Sequence, residues 1–336
     1  MKIYILFIAL SFLAISCIPD ENPVHAFDRG DAIIAQVAMG ELYNTQIYYS
    51  LSANRAEKSN PMTAWDIAFA DSDSDERIEI LLNYCPMAKA YKVTDKSYDE
   101  INLAYANALQ DADWKYDNPK GDLDSLAIAG WYSKADKKVV DNVFILDRGM
   151  NEKAKQLGKY KLKITDYANK TYFLTYTNLK TNETKSVQVK KSGKYNYQQL
   201  SLTDGAVLQL EPEKESWDLL FTKYTTLLYT DAGEPQWYGV TSVLINPFYV
   251  EVAKIQDSAF ASINKSIIDT LSFANNRDAI GHEWKTYKFD TGSYIVDTKS
   301  VFIVKSADGF YYKFHFIDFY NDAGIKGYPK FEFKML

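Results

Sequence analysis

The chain has 336 residues and a formal net charge of −6, with 47% hydrophobic, 24% charged and 15% aromatic residues, and 26 tyrosines. No basic excess is present to neutralise phosphates, and Lys/Arg clusters do not exceed short pairs such as Lys190-Lys191, which argues against a nucleic-acid partner. The length suits one extended domain or two fused lobes, and the tyrosine content favours β structure and amphipathic binding surfaces.

At the N-terminus, Met1-Lys2 precedes an apolar run from Ile3 to Ile15 that is too short to span a bilayer, so residues 1–16 read as a cleaved secretion signal. Ala14-Ile15-Ser16-Cys17 resembles a bacterial lipobox, in which Cys17 becomes the lipidated first residue. Acyl chains on it would partner the lipid bilayer, at about 0.8 kcal/mol per buried CH₂. Ile18-Pro19-Asp20-Glu21 resembles the acidic signature that sends lipoproteins to the outer cell surface in Bacteroidetes-type bacteria. Residues 17–27 then form the lipidated cysteine and a tether. Cys85 is left without a second thiol, so no intramolecular disulfide is expected, and its apolar context predicts a buried small hydrophobe.

Beyond the tether, β-like runs occur at 33–38 and 46–51, with a polar loop from 52 to 63. Trp65-Asp66-Ile67-Ala68-Phe69 follows, then an acidic turn at 71–76 and a strand ending at Asn83. One short helix is predicted over 98–109, a Pro/Gly/Asp loop over 114–125, and strands over 139–147, 159–166, 171–179 and 185–190. Phe260, Ile263, Ile267 and Leu271 predict a short amphipathic helix. The closing block is the most aromatic: 300–305, 310–320 and 328–333, separated by Asp308-Gly309 and Asn321-Asp322-Ala323-Gly324, read as a β-meander with its central strand buried.

The sequence also echoes itself. Residues 197–202 echo 47–51, Trp217-Asp218-Leu219-Leu220-Phe221 echoes Trp65-Asp66-Ile67-Ala68-Phe69, and Val243-Leu244-Ile245-Asn246 echoes Ile80-Leu81-Leu82-Asn83. Shared order and spacing indicate a degenerate duplication. Each Trp is expected inward with its Asp bonded to a loop backbone, the alternative being a tryptophan ligand platform. The resulting division is a first β unit over 28–155 and a second over 156–336, packed as one domain or two.

Motifs for catalysis are not found. His282-Glu283 lacks the second histidine of a zincin, Ser192-Gly193-Lys194 lacks P-loop spacing, and no Gly-x-Ser-x-Gly elbow occurs. The carboxylates at 71, 73 and 75 begin like a calcium loop, but Glu76 and Leu82 stand where glycine and glutamate are needed. His315, amid aromatics in a strand, reads as packing before ligation. The chain is read as not an enzyme.

The closing block resembles the HmuY family, exported Bacteroidetes lipoproteins associated with haem acquisition. The resemblance rests on Ile280-Gly281-x-x-Trp284-Lys285, Tyr294-Ile295-Val296, Val301 to Lys305, Asp308-Gly309, Tyr312-Lys313-Phe314, Phe316 to Phe319 and Gly324-x-Lys326-Gly327. It extends to Trp217-Asp218, residues 239–246, Trp65-Asp66 and residues 80–83. It implies a mostly β, antiparallel hairpin-meander fold with one or two short helices. It also implies an outer-membrane, surface-facing location, haem as cofactor and a TonB-dependent receptor as partner. Family members hold haem iron through axial His or Met. This chain has Tyr287, Lys288 and Phe289 where a ligand histidine is expected, and no His or Met between Asn246 and Ile280. The ligand candidates are therefore His282, Met87 and His315, with Met150 or a tyrosine also open. The alternative function is a glycan- or protein-binding module, or a structural accessory of such a receptor.

Overall fold

The computed structural model describes residues 30–336 except Asp231. The secretion signal, Cys17 and the tether with His25 lie outside the described residues. The fold is mostly β, with antiparallel sheets, one α-helix at Leu103–Ala108 and short 3-10 turns.

The described strands fall into two runs of eleven that build the same object twice. One five-stranded sheet runs Thr184–Lys190, Thr171–Asn178, Lys159–Ala168, Val143–Asp147, Lys89–Val93. The other runs Ile33–Gln36, Lys326–Met335, Tyr311–Tyr320, Val301–Lys305, Glu251–Ile255. The four-stranded sheets match as well. Ala206–Leu208, Tyr197–Ser201, Ile67–Ala70 and Ile80–Leu82 correspond in order to Arg55–Pro61, Thr45–Ser50, Leu219–Tyr229 and Pro235–Ile245. Even the bulges coincide, at Ile164/Asp166 and Phe316/Asp318. In each, the aspartate accepts a bond from the next residue's N–H, at 2.8 and 2.7 Å. Two buried lysines repeat too. Lys161 Nζ donates to the carbonyls of Tyr98 and Ile101, and Lys313 Nζ to those of Phe260 and Ile263.

The duplication is exchanged between lobes. The opening strands of the first copy, at 33–61, pair with the second copy, and Tyr197–Ser201 of the second pairs with Ile67–Ala70 of the first. One lobe's core thus joins Ile47, Tyr49 and Leu51 to Phe221, Phe314 and Phe331, and the other joins Ile67 and Phe69 to Leu162, Leu174 and Leu200. The line drawn at residue 155 falls between Val143–Asp147 and Lys159–Ala168, which pair directly, so the sheet runs across it.

The Trp-Asp blocks fasten this exchange, with each Asp bonded to backbone as expected and that backbone belonging to the other copy. Asp66 donates its N–H to the Leu200 carbonyl at 2.9 Å and accepts from Leu202 N at 2.7 Å. Asp218 donates to the Tyr49 carbonyl at 2.9 Å and accepts from Leu51 N at 2.7 Å. Asn83 and Asn246 close each block. Their side-chain amides bind the carbonyls of Met62 and Trp65 in one copy, and of Lys214 and Trp217 in the other. The second carboxylate oxygen differs: Asp66 takes Arg148 Nε at 2.6 Å, Asp218 takes Ala307 N at 2.8 Å.

Burial outweighs these bonds at several carboxyls, pushing Asp218 and Asp117 up to about 6 and Glu211 up to about 7. A raised folded-state pKa contributes stability that is complete at low pH and lost as pH rises through that value. Lys285, lowered to about 7 by burial, opposes the trend only above that value, and His282, lowered by burial and by Lys285, opposes it below; the three raised carboxyls outnumber them. The melting temperature is therefore expected to rise as pH falls from 7.5 to 5. A thermal melt series checks this, and a fall across that window would contradict it.

Some elements depart from expectation. The polar stretch 52–63 contains the strand Arg55–Pro61, an edge strand wet on most positions and so without an apolar pattern. The region 260–271 is two 3-10 turns, because the Asn264 side chain accepts from Ser266 N and restarts the chain there. Its apolar residues still face Val301 and Ile303. The helix predicted over 98–109 forms from Leu103 to Ala108, capped by Asn102, whose side chain accepts from Tyr105 N.

Candidate functional site

The duplication serves as an internal control, since the features that only one copy elaborates stand apart from those both copies need. In the first copy the Trp-Asp strand and its partner are short, Ile67–Ala70 and Ile80–Leu82, and wholly buried. The acidic turn joining them is tied down. Asp71 accepts from Ser192, Tyr195 and Gln198, and Asp75 accepts from Tyr167 Oη at 2.8 Å. Both Asp71 oxygens are thus occupied by donors while Asp73 stays largely exposed, and no metal-holding cluster of His, Cys, Asp or Glu occurs among the described residues. In the second copy the same two strands run eleven residues each, Leu219–Tyr229 and Pro235–Ile245, and carry exposed Leu227, Tyr229, Trp237 and Tyr238.

A second hairpin differs in the same way. Tyr132–Ser133 and Lys138–Val139 make a stub with a polar turn. Its counterpart, Lys285–Lys288 with Ser293–Val296, is longer and presents Tyr287, Phe289 and Ile295, with Phe289 91% exposed. Aromatic side chains left in water at two lengthened hairpins of one lobe mark a binding face.

Phenols line the ground between these hairpins. Tyr320 Oη accepts from Tyr294 N at 2.7 Å, the Tyr294 ring meets Tyr287 and Phe319 at 5.0 Å each, and Tyr43 stacks on Phe319 at 5.8 Å. Burial raises the Tyr43 hydroxyl's pKa, and Tyr294, Tyr320 and Tyr238 of the long hairpin raise it further. The Tyr43 Oη is buried and faces the Tyr294 hydroxyl. Beneath lies Lys285. Its Nζ donates to the Thr241 carbonyl at 2.6 Å and sits over the rings of Trp284 (4.3 Å), Phe319 (5.0 Å) and Tyr294 (5.6 Å). Trp284, stacked on Phe316 at 3.8 Å, fixes the root of the short hairpin in the core.

The residues singled out from sequence are not brought together. His315 is buried, with Nε2 bonded to Glu332 at 2.9 Å, Nδ1 to the Thr298 carbonyl at 3.2 Å, and its ring stacked on Phe260 at 4.3 Å. Both ring nitrogens are engaged, which is the packing role its context predicts. His282 is half-buried, its Nδ1 bonded to Tyr224 Oη at 2.9 Å. Met87 packs against Gly239, where a Cβ would sit 3.6 Å from its sulfur. Tyr224 and Gly239 belong to the adjacent cross-strand pairs Tyr224–Val240 and Thr225–Gly239, whose side chains point to opposite faces. His282 and Met87 therefore meet opposite sides of the long hairpin. Tyr43, Tyr238 and Tyr294 carry no sequence signal as site residues because no spacing links them, and Tyr287 to Phe289 stand out in the sequence only as occupying the place of an expected ligand histidine. Cys85 is buried, with Sγ 2.9 Å from Thr222 Oγ1.

No curated protein matches the chain. Solved structures with similarity include a HmuY-like heme-binding protein of Bacteroides vulgatus (17% identity, 51% of this chain and 94% of that chain, TM-score 0.18). Another is the apo HmuY analog of Tannerella forsythia (19% identity, 53% and 95%, TM-score 0.17). A third is a lipoprotein of Bacteroides fragilis (18% identity, 51% and 91%, TM-score 0.18). The profile of the family described as HmuY protein matches residues 42–333. With that match spanning nearly all of the described residues, both copies of the unit included, the chain belongs to the HmuY family.

Proposed function

We propose that this chain binds haem or a related porphyrin on the aromatic face between its two long hairpins. In this reading it is an outer-membrane lipoprotein anchored through Cys17, acting in iron acquisition with a TonB-dependent receptor. The observation that carries the binding reading is the asymmetry of the copies: only the second lengthens both hairpins and leaves their aromatics exposed. Membership of the HmuY family supports the choice of ligand. The face suits such a group, since a porphyrin presents a flat apolar surface and needs aromatic contacts with a few polar anchors. Tyr238, Tyr287, Phe289 and Ile295 supply contact, and the Tyr43 and Tyr294 hydroxyls lie together beneath them as polar groups. Axial ligation falls to His282, Met87 or a tyrosine of this cluster, because His315 has both nitrogens engaged. Bound haem would supply the iron cargo, and the protein's part is to shield and orient it. This is a binding role rather than an enzyme's.

Haemin titration of the purified chain lacking residues 1–16, followed at the Soret band in oxidised and reduced forms, tests the reading. A saturable shift is expected. It should persist in His315→Ala, and a changed band in His282→Ala or Met87→Ala assigns the ligand. Absence of a saturable shift in both forms would overturn the reading.

A further inference from the structure

A second site lies away from this face, in the crevice where the exchanged lobes meet. Trp65 and Trp217, the paired tryptophans of the duplicated blocks, line it with Tyr48, Tyr84, Tyr197 and Glu211. Arg277 enters between them. Its position is set by backbone bonds to both lobes: its N–H donates to the Lys120 carbonyl at 3.0 Å, and its carbonyl accepts from Ile245 N at 2.8 Å. Its stem lies on Gly121, where a Cβ would be 2.6 Å from Arg277 Cδ. The guanidinium is thereby held 4.9 Å from the centre of the Tyr84 ring.

Every other arginine among the described residues has a carboxylate: Arg55 has Glu57, Arg77 has Glu79 and Arg148 has Asp66. Arg277 has none at ion-pair distance among those residues. The nearby carboxyls act on it only from a distance, since their oxygens are hydrogen-bonded to other donors. Asp117 accepts from Leu82 N and Ala127 N, and Glu211 accepts from Asn196 N, Tyr197 N and Trp217 Nε1. Burial raises Glu211 to about 7, which weakens it further as a counter-charge. Arg277 is partly buried, and the surrounding phenols and Asp117 favour its charged form, but it lacks the direct charge-assisted partner that the other described arginines have and that a small anion would supply. The crevice holds a cavity of about 30 Å³, room for an occupant of one or a few heavy atoms.

We propose that this crevice binds a small monoanion, of chloride to formate size, on the Arg277 guanidinium. The anion completes a charge pair at the junction of the lobes and fastens them together.

The test uses the full chain, with ionic strength held constant by sodium gluconate, whose anion is too large for the cavity. Sodium formate and sodium chloride are each titrated, with sodium pivalate as a bulky control. Formate or chloride is expected to give a saturable rise in melting temperature and a matching change in tryptophan fluorescence, and pivalate neither. Whichever of formate and chloride saturates at the lower concentration is the better fit. Arg277→Met should abolish both signals and Arg277→Lys should keep a weakened response. An unsaturable response, or one equal for pivalate and formate, overturns the proposal from the wild-type protein alone, so it stays testable if Arg277→Met does not fold. An undiminished response in a folded Arg277→Met overturns it as well.

Discussion

Replacing Asp66 by alanine is expected to destabilise the chain by about 4 kcal/mol, enough to lower its melting temperature by roughly 10 °C for a protein of this size. Two losses combine. Leu202 N, which reaches Asp66 at 2.7 Å, is left without an acceptor. Arg148, bonded to Asp66 at 2.6 Å and with only 9% of its side chain exposed, becomes a buried cation without its partner. Removing one member of a buried ion pair typically costs about 3–5 kcal/mol, because the remaining charge stays out of water. The equivalent change in the other copy provides the control. Asp218→Ala orphans the buried N–H of Leu51 and the part-buried N–H of Ala307, but no cation. At about 1–3 kcal/mol for each unsatisfied group, with local relaxation, its cost should fall near 3 kcal/mol. Chemical denaturation of both variants checks the order. Equal losses, or a larger one at Asp218, would show that the Arg148 contact is not what distinguishes the two copies.

These two aspartates also show how far the sequence could be read. The Trp-Asp echo, the asparagine closing each block and the role of the aspartate were all legible, because a buried carboxylate needs donors and loops supply them. The exchange was not. Residues 47–51 and 197–202 look alike, and nothing local says that the first pairs with Leu219–Phe221 and the second with Ile67–Phe69. The closing meander was legible because Tyr312 to Phe316 is nearly continuous aromatic β-former between turn residues, and it pairs as expected with the strands on either side. The hairpin from Leu219 to Ile245 was seen only at its buried root. Its outer half carries Lys223, Thr225 and Thr226 among the aromatics, which blurs the alternation. The site itself was the least legible part. Its phenols come from residues 43, 238, 294 and 320, which are distant in sequence, whereas the histidines that drew attention are respectively a packed core group and a partner of Tyr224.

The second large effect is expected at the exposed hairpin. Tyr287, Phe289 and Ile295 are 40%, 91% and 54% exposed, so changing all three to serine should leave folding stability within about 1 kcal/mol. Binding should respond quite differently. Burying one such side chain against a ligand contributes about 1.5–3 kcal/mol, and each 1.4 kcal/mol is tenfold in affinity. Loss of the set should therefore weaken haemin binding by at least about tenfold. The side chains lie on a hairpin rooted by Trp284 and Lys285, both buried, so the strand pairing beneath them survives the change. The first copy offers no substitute face, since its corresponding hairpin is a stub and its acidic turn is bonded closed.

Haemin titration of the wild-type chain and of this triple variant, side by side at the Soret band, is the decisive measurement. Saturation at one haem per wild-type chain is expected, with the variant at least tenfold weaker and its melting temperature unchanged. Saturation at two haems per chain, or an affinity that the triple substitution leaves intact, would contradict haem binding at this face.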